Sequence, residues 1–167
     1  PNRKAFELEL DRAIEMARAE EAPLCLFMCD IDHFKRFNDT FGHQTGDQVL
    51  RLVGGCLAEN VKGRDTAARY GGEEFAVILP HTALNDGVLV ANVVRRAVES
   101  PPMVQPATDD ILGSISISIG VAMLSPEDDK ASFIARADNC LYGAKRAGRN
   151  RVVSEGDSEA AAHVDAA

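Results

Sequence analysis

No apolar run in this 167-residue chain approaches the roughly 20 residues needed to cross a bilayer, and no charged, apolar and small-residue succession at its start resembles a secretion signal. A cytoplasmic domain is expected. Basic charge is also scarce: 18 Lys and Arg stand against 26 Asp and Glu, a formal net charge of -8, so the surface as a whole repels nucleic acid and anionic membrane. No nucleic-acid or membrane partner is expected. The four cysteines, Cys25, Cys29, Cys56 and Cys140, form no Cys-x-x-Cys pair and sit in apolar stretches, where they read as small hydrophobes rather than disulfides or zinc ligands. Cys25 and Cys29 share a strand face but lie too far apart along it to bond. The histidines lack metal-ligand spacing, internal repeats are missing, and His163 falls in a small, polar C-terminal stretch expected to be disordered.

What remains is a chain 46% hydrophobic, enough for one substantial core. Phe6, Leu10, Ala13, Ile14 and Ala17 recur at helical spacing up to Pro23. The run "LCLFMCD" then reads as a strand buried on both faces, with Asp30 at its C-terminal end. A short helix stopped by Gly42 follows, then a longer one in which Thr45 and Gln48 have capping-box spacing, which puts Asp47 in its first turn. "DTAARY" and "FAVILP" flank Gly71 and Gly72 as a β-hairpin, the glycines supplying positive φ. Thr82 is the expected cap of the next helix. The stretch from Pro101 reads as irregular chain feeding a strand in which Ser114, Ser116 and Ser118 alternate with isoleucines. A last helix carries Phe133, Ile134, Ala137, Cys140, Leu141 and Ala144 on one stripe, and "RNRVVS" suits an edge strand. This order predicts an α+β fold, a mostly antiparallel sheet covered by helices.

Four acids, Asp30, Asp32, Glu73 and Glu74, fall at strand ends or in the hairpin turn. If the first long strand lies beside the hairpin, their carboxylates converge, repel one another, and are relieved by a divalent ion; magnesium takes one or two carboxylates plus water and substrate phosphates. Acids at solvated strand ends have the same pattern without any ion. Lys35, Lys145, Arg146, Arg149 and Arg151 supply positive charge for phosphate, or simply solvated helix faces. Acids and bases together point to a nucleotide polyphosphate site.

The motif "RYGGEEF" resembles the signature of the GGDEF domain, the catalytic domain of bacterial diguanylate cyclases. "PNRKAF", "CDIDHFKRFNDTFGHQTGDQVL", "SISIGVA" and "ADNCLYGAKRAGRNRV" resemble further family motifs in the same order, covering residues 1–153 and leaving 154–167 as a tail. The resemblance implies a palm-like fold of the nucleotide-cyclase, ferredoxin-like type, and condensation of two GTP into cyclic di-GMP with release of two pyrophosphates. It implies magnesium, with manganese as a substitute, on Asp30, the Ile31 carbonyl and Glu73, with Glu74 a ligand of a second ion. Glu73 and Lys35 become the catalytic pair. Lys145 and Arg149 are implied to grip terminal phosphates, with backbone amides around His33, Phe34 and Lys35 adding donors. Asn38 and Asp47 become the guanine-reading pair and His43 a further substrate contact. Asp32 stays outside the metal set. Where relatives carry an Arg-x-x-Asp product-inhibition site, this chain has "KGRD": Lys62 and Asp65 remain, but the lysine lacks the bidentate guanidinium and Arg64 is out of register. Two such domains are implied to face each other as a homodimer, brought together by a regulatory domain of a longer parent chain. The alternatives are a GTP-binding sensor or docking module, and, less compatible with Asn38 and Asp47, an adenylyl or mixed-product cyclase.

Overall fold

The computed structural model describes residues 2–99, 102–104 and 111–157. Helix α1 (Arg3–Glu20) begins where Ala5 N–H donates to the Asn2 side chain at 2.9 Å, and it ends on Glu21 in the left-handed region, two residues before Pro23. Strand β1 (Leu24–Ile31) is buried along its whole length, as an apolar run with no polar alternation requires. Helices α2 (Phe34–Phe41) and α3 (His43–Asn60), strands β2 (Thr66–Arg69) and β3 (Glu74–Pro80), and helix α4 (Leu84–Glu99) follow. Strands β4 (Pro102–Val104), β5 (Ile111–Ser114) and β6 (Ile117–Met123), helix α5 (Lys130–Arg146) and strand β7 (Val152–Ser154) complete the order.

Five strands form one mixed sheet in the order β2-β3-β1-β6-β7, with β1 antiparallel to both neighbours and β7 parallel to β6. Side-chain alternation along β1 divides the core. Cys25, Phe27, Cys29 and Ile31 face Val49, Val53 and Leu57 of α3 and Ala91, Val94 and Val98 of α4. Leu24, Leu26 and Met28 face Phe6 and Leu10 of α1 and Phe133 and Ala137 of α5. The cysteines are free and packed as hydrophobes; burial pushes the Cys25 thiol up to about 12. Helix α5 approaches the sheet closely because Gly120 of β6 has no side chain: a Cβ there would stand 2.1 Å from Leu141 N and 2.3 Å from Ala137 O.

Three expectations change. The segment after Pro101 is not wholly irregular, since β4 and β5 pair as a separate two-stranded sheet; residues 105–110 lie outside the described ones. The serine alternation does not run through one strand, because Ile115 and Ser116 leave the ladder where Asp32 N–H takes the Ser116 carbonyl at 2.9 Å. The hydroxyl of Thr82 donates to Pro80 O at 2.9 Å, and the first bond of α4 runs from Gly87 N to Ala83 O, so the chain enters that helix one residue later than a Thr82 cap implies. The edge strand from "RNRVVS" is present as β7. In the stretch read as a tail, Ser154 closes β7, while residues 158–167, with His163, lie outside the described ones.

Candidate active site

Asp30 stands at the buried end of β1, 6% exposed, directly opposite Glu74 of β3 on one side and Ser118 of β6 on the other. Its Oδ2 accepts from Lys145 Nζ of α5 at 2.5 Å. Burial pushes the Asp30 carboxyl above its ordinary range; the Lys145 hydrogen bond and charge pull it partly back, and the Asp32 charge raises it again. Glu73 and Glu74 are raised too, first by burial and then by the charge of Asp30, with Asp138 of α5 adding to Glu74. Three carboxylates in mutual repulsion against one lysine make a site short of positive charge.

The turn holding Glu73 is fixed by backbone. Ile31 N donates to Glu73 O at 3.2 Å, Tyr70 N to Glu74 O at 2.8 Å, and the Arg69 guanidinium caps the Gly71 and Gly72 carbonyls at 3.2 and 2.7 Å. Neither glycine adopts the left-handed backbone expected of a tight hairpin, because the link from Arg69 to Glu74 is long enough to turn without it. A Cβ on Gly72 would meet nothing within 4 Å, so the fold itself makes no use of the bare backbone there. A ligand lying across the turn would.

Asp30 and Glu73 line one cavity of about 490 Å³, together with Ile31, Lys35, Lys145 and Arg149. The start of α2 opens onto it. His33 occupies the N-cap with φ 57° and gives no side-chain cap, so no side chain satisfies the first-turn N–H groups at Phe34 and Lys35, which line the cavity. The Lys35 ammonium has no hydrogen-bond or ion-pair partner among the described residues. Cations, helix-start amides and carboxylates thus line one cavity. Glu74 is not among the lining residues, although its backbone pairs with Asp30.

Among the described residues no group of three His, Cys, Asp or Glu side chains is arranged to hold a metal unaided. Asp30 and Glu73 sharing a cavity with Ile31 still fit magnesium, which takes few protein ligands and completes its shell with water and substrate oxygens. Asp32 lines the same cavity, but its carboxylate accepts from Ser118 Oγ at 2.6 Å, Ser116 Oγ at 2.7 Å and Asn150 N at 3.0 Å, which binds both oxygens to the protein. Those three partners carried no recognisable signal beyond the serine alternation.

Of the residues the resemblance implies for reading the base, Asn38 and His43 meet at the junction of α2 and α3. Asn38 Nδ2 lies 3.1 Å from His43 Nδ1, so His43 serves the asparagine rather than local backbone. Gly46 makes room for both Asn38 and Phe34: a Cβ there would stand 2.2 Å from Asn38 Oδ1 and 3.4 Å from the Phe34 ring. The expected Thr45 capping box is not formed. Gly42, φ 90°, ends α2 and opens α3 at once, Thr45 Oγ1 donates back to Phe41 O at 3.1 Å, and Asp47 consequently sits in the second turn. Asp47 lines a separate depression of about 310 Å³ with Arg69 and Phe75, not the cavity of Asp30. Lys62 and Asp65 lie at the far end of the β2–β3 hairpin, where Asp65 N donates to Lys62 O at 3.3 Å and burial raises the Asp65 carboxyl.

A five-stranded α+β domain with carboxylates at the end of its central strand, beside an uncapped helix start, has the palm-like architecture of nucleotide cyclases. The chain belongs to the GGDEF family: the family model described as diguanylate cyclase, GGDEF domain, matches residues 1–151. Response regulator PleD of Caulobacter vibrioides is 41% identical over 155 residues, 92% of this chain and 34% of that protein. Diguanylate cyclase DosC of Escherichia coli is 39% identical over 151 residues, 90% of this chain and 32% of that protein. The chain therefore spans about a third of the length of these relatives. Among solved structures, the GGDEF domain of DgcB from Caulobacter crescentus in complex with c-di-GMP superposes with a TM-score of 0.91 at 45% identity, covering 93% of this chain and 89% of that one. The active GGEEF domain of a diguanylate cyclase from Vibrio cholerae gives 0.86 at 32% identity, covering 94% and 98%.

The raised carboxyls have a consequence for stability. A carboxylate whose folded pKa exceeds its unfolded value destabilises the fold above that pKa, and the penalty vanishes as pH falls through it. Glu74→Gln is therefore expected to raise the metal-free melting temperature at pH 7 by roughly 1–3 °C. Calorimetry in chelator should show the gain shrinking towards acid pH; a lowered melting temperature at pH 7 would contradict the assigned repulsion.

Proposed function

We propose that this domain is a diguanylate cyclase, condensing two GTP into cyclic di-GMP and two pyrophosphates. The observation that carries this reading is the single cavity that joins Asp30 and Glu73 to Lys35, Lys145, Arg149 and the open start of α2. The triphosphate lies along the α2 amides and these three cations, which stabilise charge on the attacked phosphate and leaving pyrophosphate. Asp30, Glu73 and the Ile31 carbonyl would hold magnesium or manganese, with Glu74 turned to a second ion. When bound, the metal neutralises phosphate oxygens and acidifies the attacking hydroxyl. Glu73, its carboxyl raised by burial and by Asp30, would take the 3′-hydroxyl proton on this reading. In each half-reaction a 3′-oxygen bonds to the α-phosphorus of the other nucleotide and the bond to the β-phosphate oxygen breaks.

Base selection falls to Asp47, which accepts from the N1 and N2 hydrogens of guanine, and to Asn38, held by His43 and Gly46. Phe34 packs beside Asn38 at the same glycine. Because each domain holds one nucleotide, turnover needs a homodimer in which two cavities face each other, and a regulatory domain on the parent chain would control that encounter. Residues 1–153 are the catalytic unit on this reading, and a cytoplasmic location follows from the need for GTP. No helix among the described residues is long and apolar enough to cross a membrane. A nucleotide sensor is the second reading, favoured by one observation: Lys145 already neutralises Asp30.

Incubation at high protein concentration with GTP and magnesium, followed by chromatography, separates the two. Cyclic di-GMP is expected, and Glu73→Gln should cut its formation at least ~100-fold while the protein stays folded. Linear products, or ATP consumed at a similar rate, would contradict the proposal. Product inhibition should be weak, since Lys62 cannot reproduce the arginine fork. Cyclic di-GMP added at tens of micromolar should leave the rate unchanged; inhibition at low micromolar concentration that Lys62→Ala abolishes would overturn this.

A further inference from the structure

Two consecutive residues after α5, Arg149 and Asn150, take left-handed backbone with φ 67° and 47°. Asparagine tolerates this conformation; arginine does so at a cost, and such strain persists only where surrounding contacts over-determine it. The contacts converge on Asn150. Its N–H donates to Asp32 Oδ2 at 3.0 Å, its Oδ1 accepts from Arg95 Nη1 at 3.1 Å, and its Nδ2 donates to the Glu99 carboxylate. Arg95 is itself tied to Asn92 Oδ1 at 3.2 Å. Helix α4, which contributes no lining residue to the phosphate cavity, thereby grips a loop that does.

The loop and the entry to α2 are joined at this point. Arg149 lines the cavity and is anchored through its N–H to Ala144 O at 3.0 Å. Asp32, held by Ser116 and Ser118 on one side and by Asn150 on the other, precedes the uncapped turn at His33. One asparagine therefore fixes both walls of the anion site relative to α4. Its amide suits the task because it accepts from an arginine and donates to a glutamate at once; an aspartate would confront Glu99 with like charge.

We propose that Asn150 is a positioning residue, clamped by Arg95 and Glu99 of α4, that holds Arg149 and the Asp32 turn in register for triphosphate binding. This rests on the reading that the cavity takes the triphosphate of GTP. Asn150→Gly keeps the left-handed backbone and the N–H to Asp32 while cutting both tethers to α4. Glu99→Ala cuts one of them from the helix surface, leaving the loop sequence intact.

The test is calorimetric titration with magnesium and a non-reacting GTP analogue, alongside melting temperatures. Asn150→Gly is expected to weaken binding about 10-fold and Glu99→Ala about 3-fold, magnitudes that correspond to losing one or two hydrogen bonds. Combined with Arg149→Ala, Asn150→Gly should cost clearly less than the two single losses added together, because part of the tether acts through that arginine. Arg136→Ala, which frees Asp128 at the opposite end of the sheet, should lower the melting temperature without changing affinity. Wild-type affinity in Asn150→Gly while Arg149→Ala binds weakly would overturn the inference, as would additive losses. Failure of the wild-type protein to bind the analogue, or full affinity in Arg149→Ala, would instead overturn the assignment of the cavity and this inference with it.

Discussion

A carboxylate at the buried end of a central strand is the constraint around which this domain is arranged. Asp30 is 6% exposed, faces Glu74 across the sheet and is met by one cation, Lys145. An ionised group this buried requires compensation. The fold provides it through the close seating of α5 on Gly120, which brings the helix near enough for Lys145 to reach the strand end. One lysine against three acids leaves the cluster under-neutralised. On the proposed function, a metal-bound polyphosphate would relieve that repulsion, and the cost in stability is one that active sites commonly carry.

The rest of the site follows from what surrounds that strand end. Chain leaving β1 turns through His33 into α2, whose open amides face the same space, and the hairpin turn brings Glu73 in from the neighbouring strand. Asp32, two residues beyond Asp30, is equally acidic but is consumed by two serines and a backbone N–H. Aspartates two positions apart thus acquire different partners: Asp32 ties the chain to two serines and Asn150, while Asp30 meets Lys145.

Much of the fold was legible because the core-forming periodicities are strong. The eight buried residues of β1, the stripe of α5 and the hairpin flanks needed no tertiary information. Of the acids and bases singled out in the sequence, Asp30, Asp32, Glu73, Lys35, Lys145 and Arg149 share the cavity and Glu74, Arg146 and Arg151 do not line it; position alone did not separate the two groups, and the family resemblance did the grouping. What escaped depends on contacts distant in sequence or on fine backbone geometry. Gly71 and Gly72 looked like a left-handed turn, yet the four-residue link between β2 and β3 relaxes that need. Thr45 had capping spacing, but Gly42 serves two helices at once and moves Asp47 into the second turn. The β4–β5 pairing arises in a stretch rich in proline and aspartate that reads as irregular. Asn150 gave only its residue type as a hint, since Arg95 and Glu99 reach it from about fifty positions away.

Whether the acidic strand end and the open helix start form one functional site is decided most directly by titrating the wild-type domain with a non-reacting GTP analogue, once with magnesium and once with chelator. Shared use of the cavity by Asp30, Glu73 and the phosphate-facing cations requires saturable uptake that depends on the metal. Equal affinity with and without the metal, or no uptake at all, would contradict it.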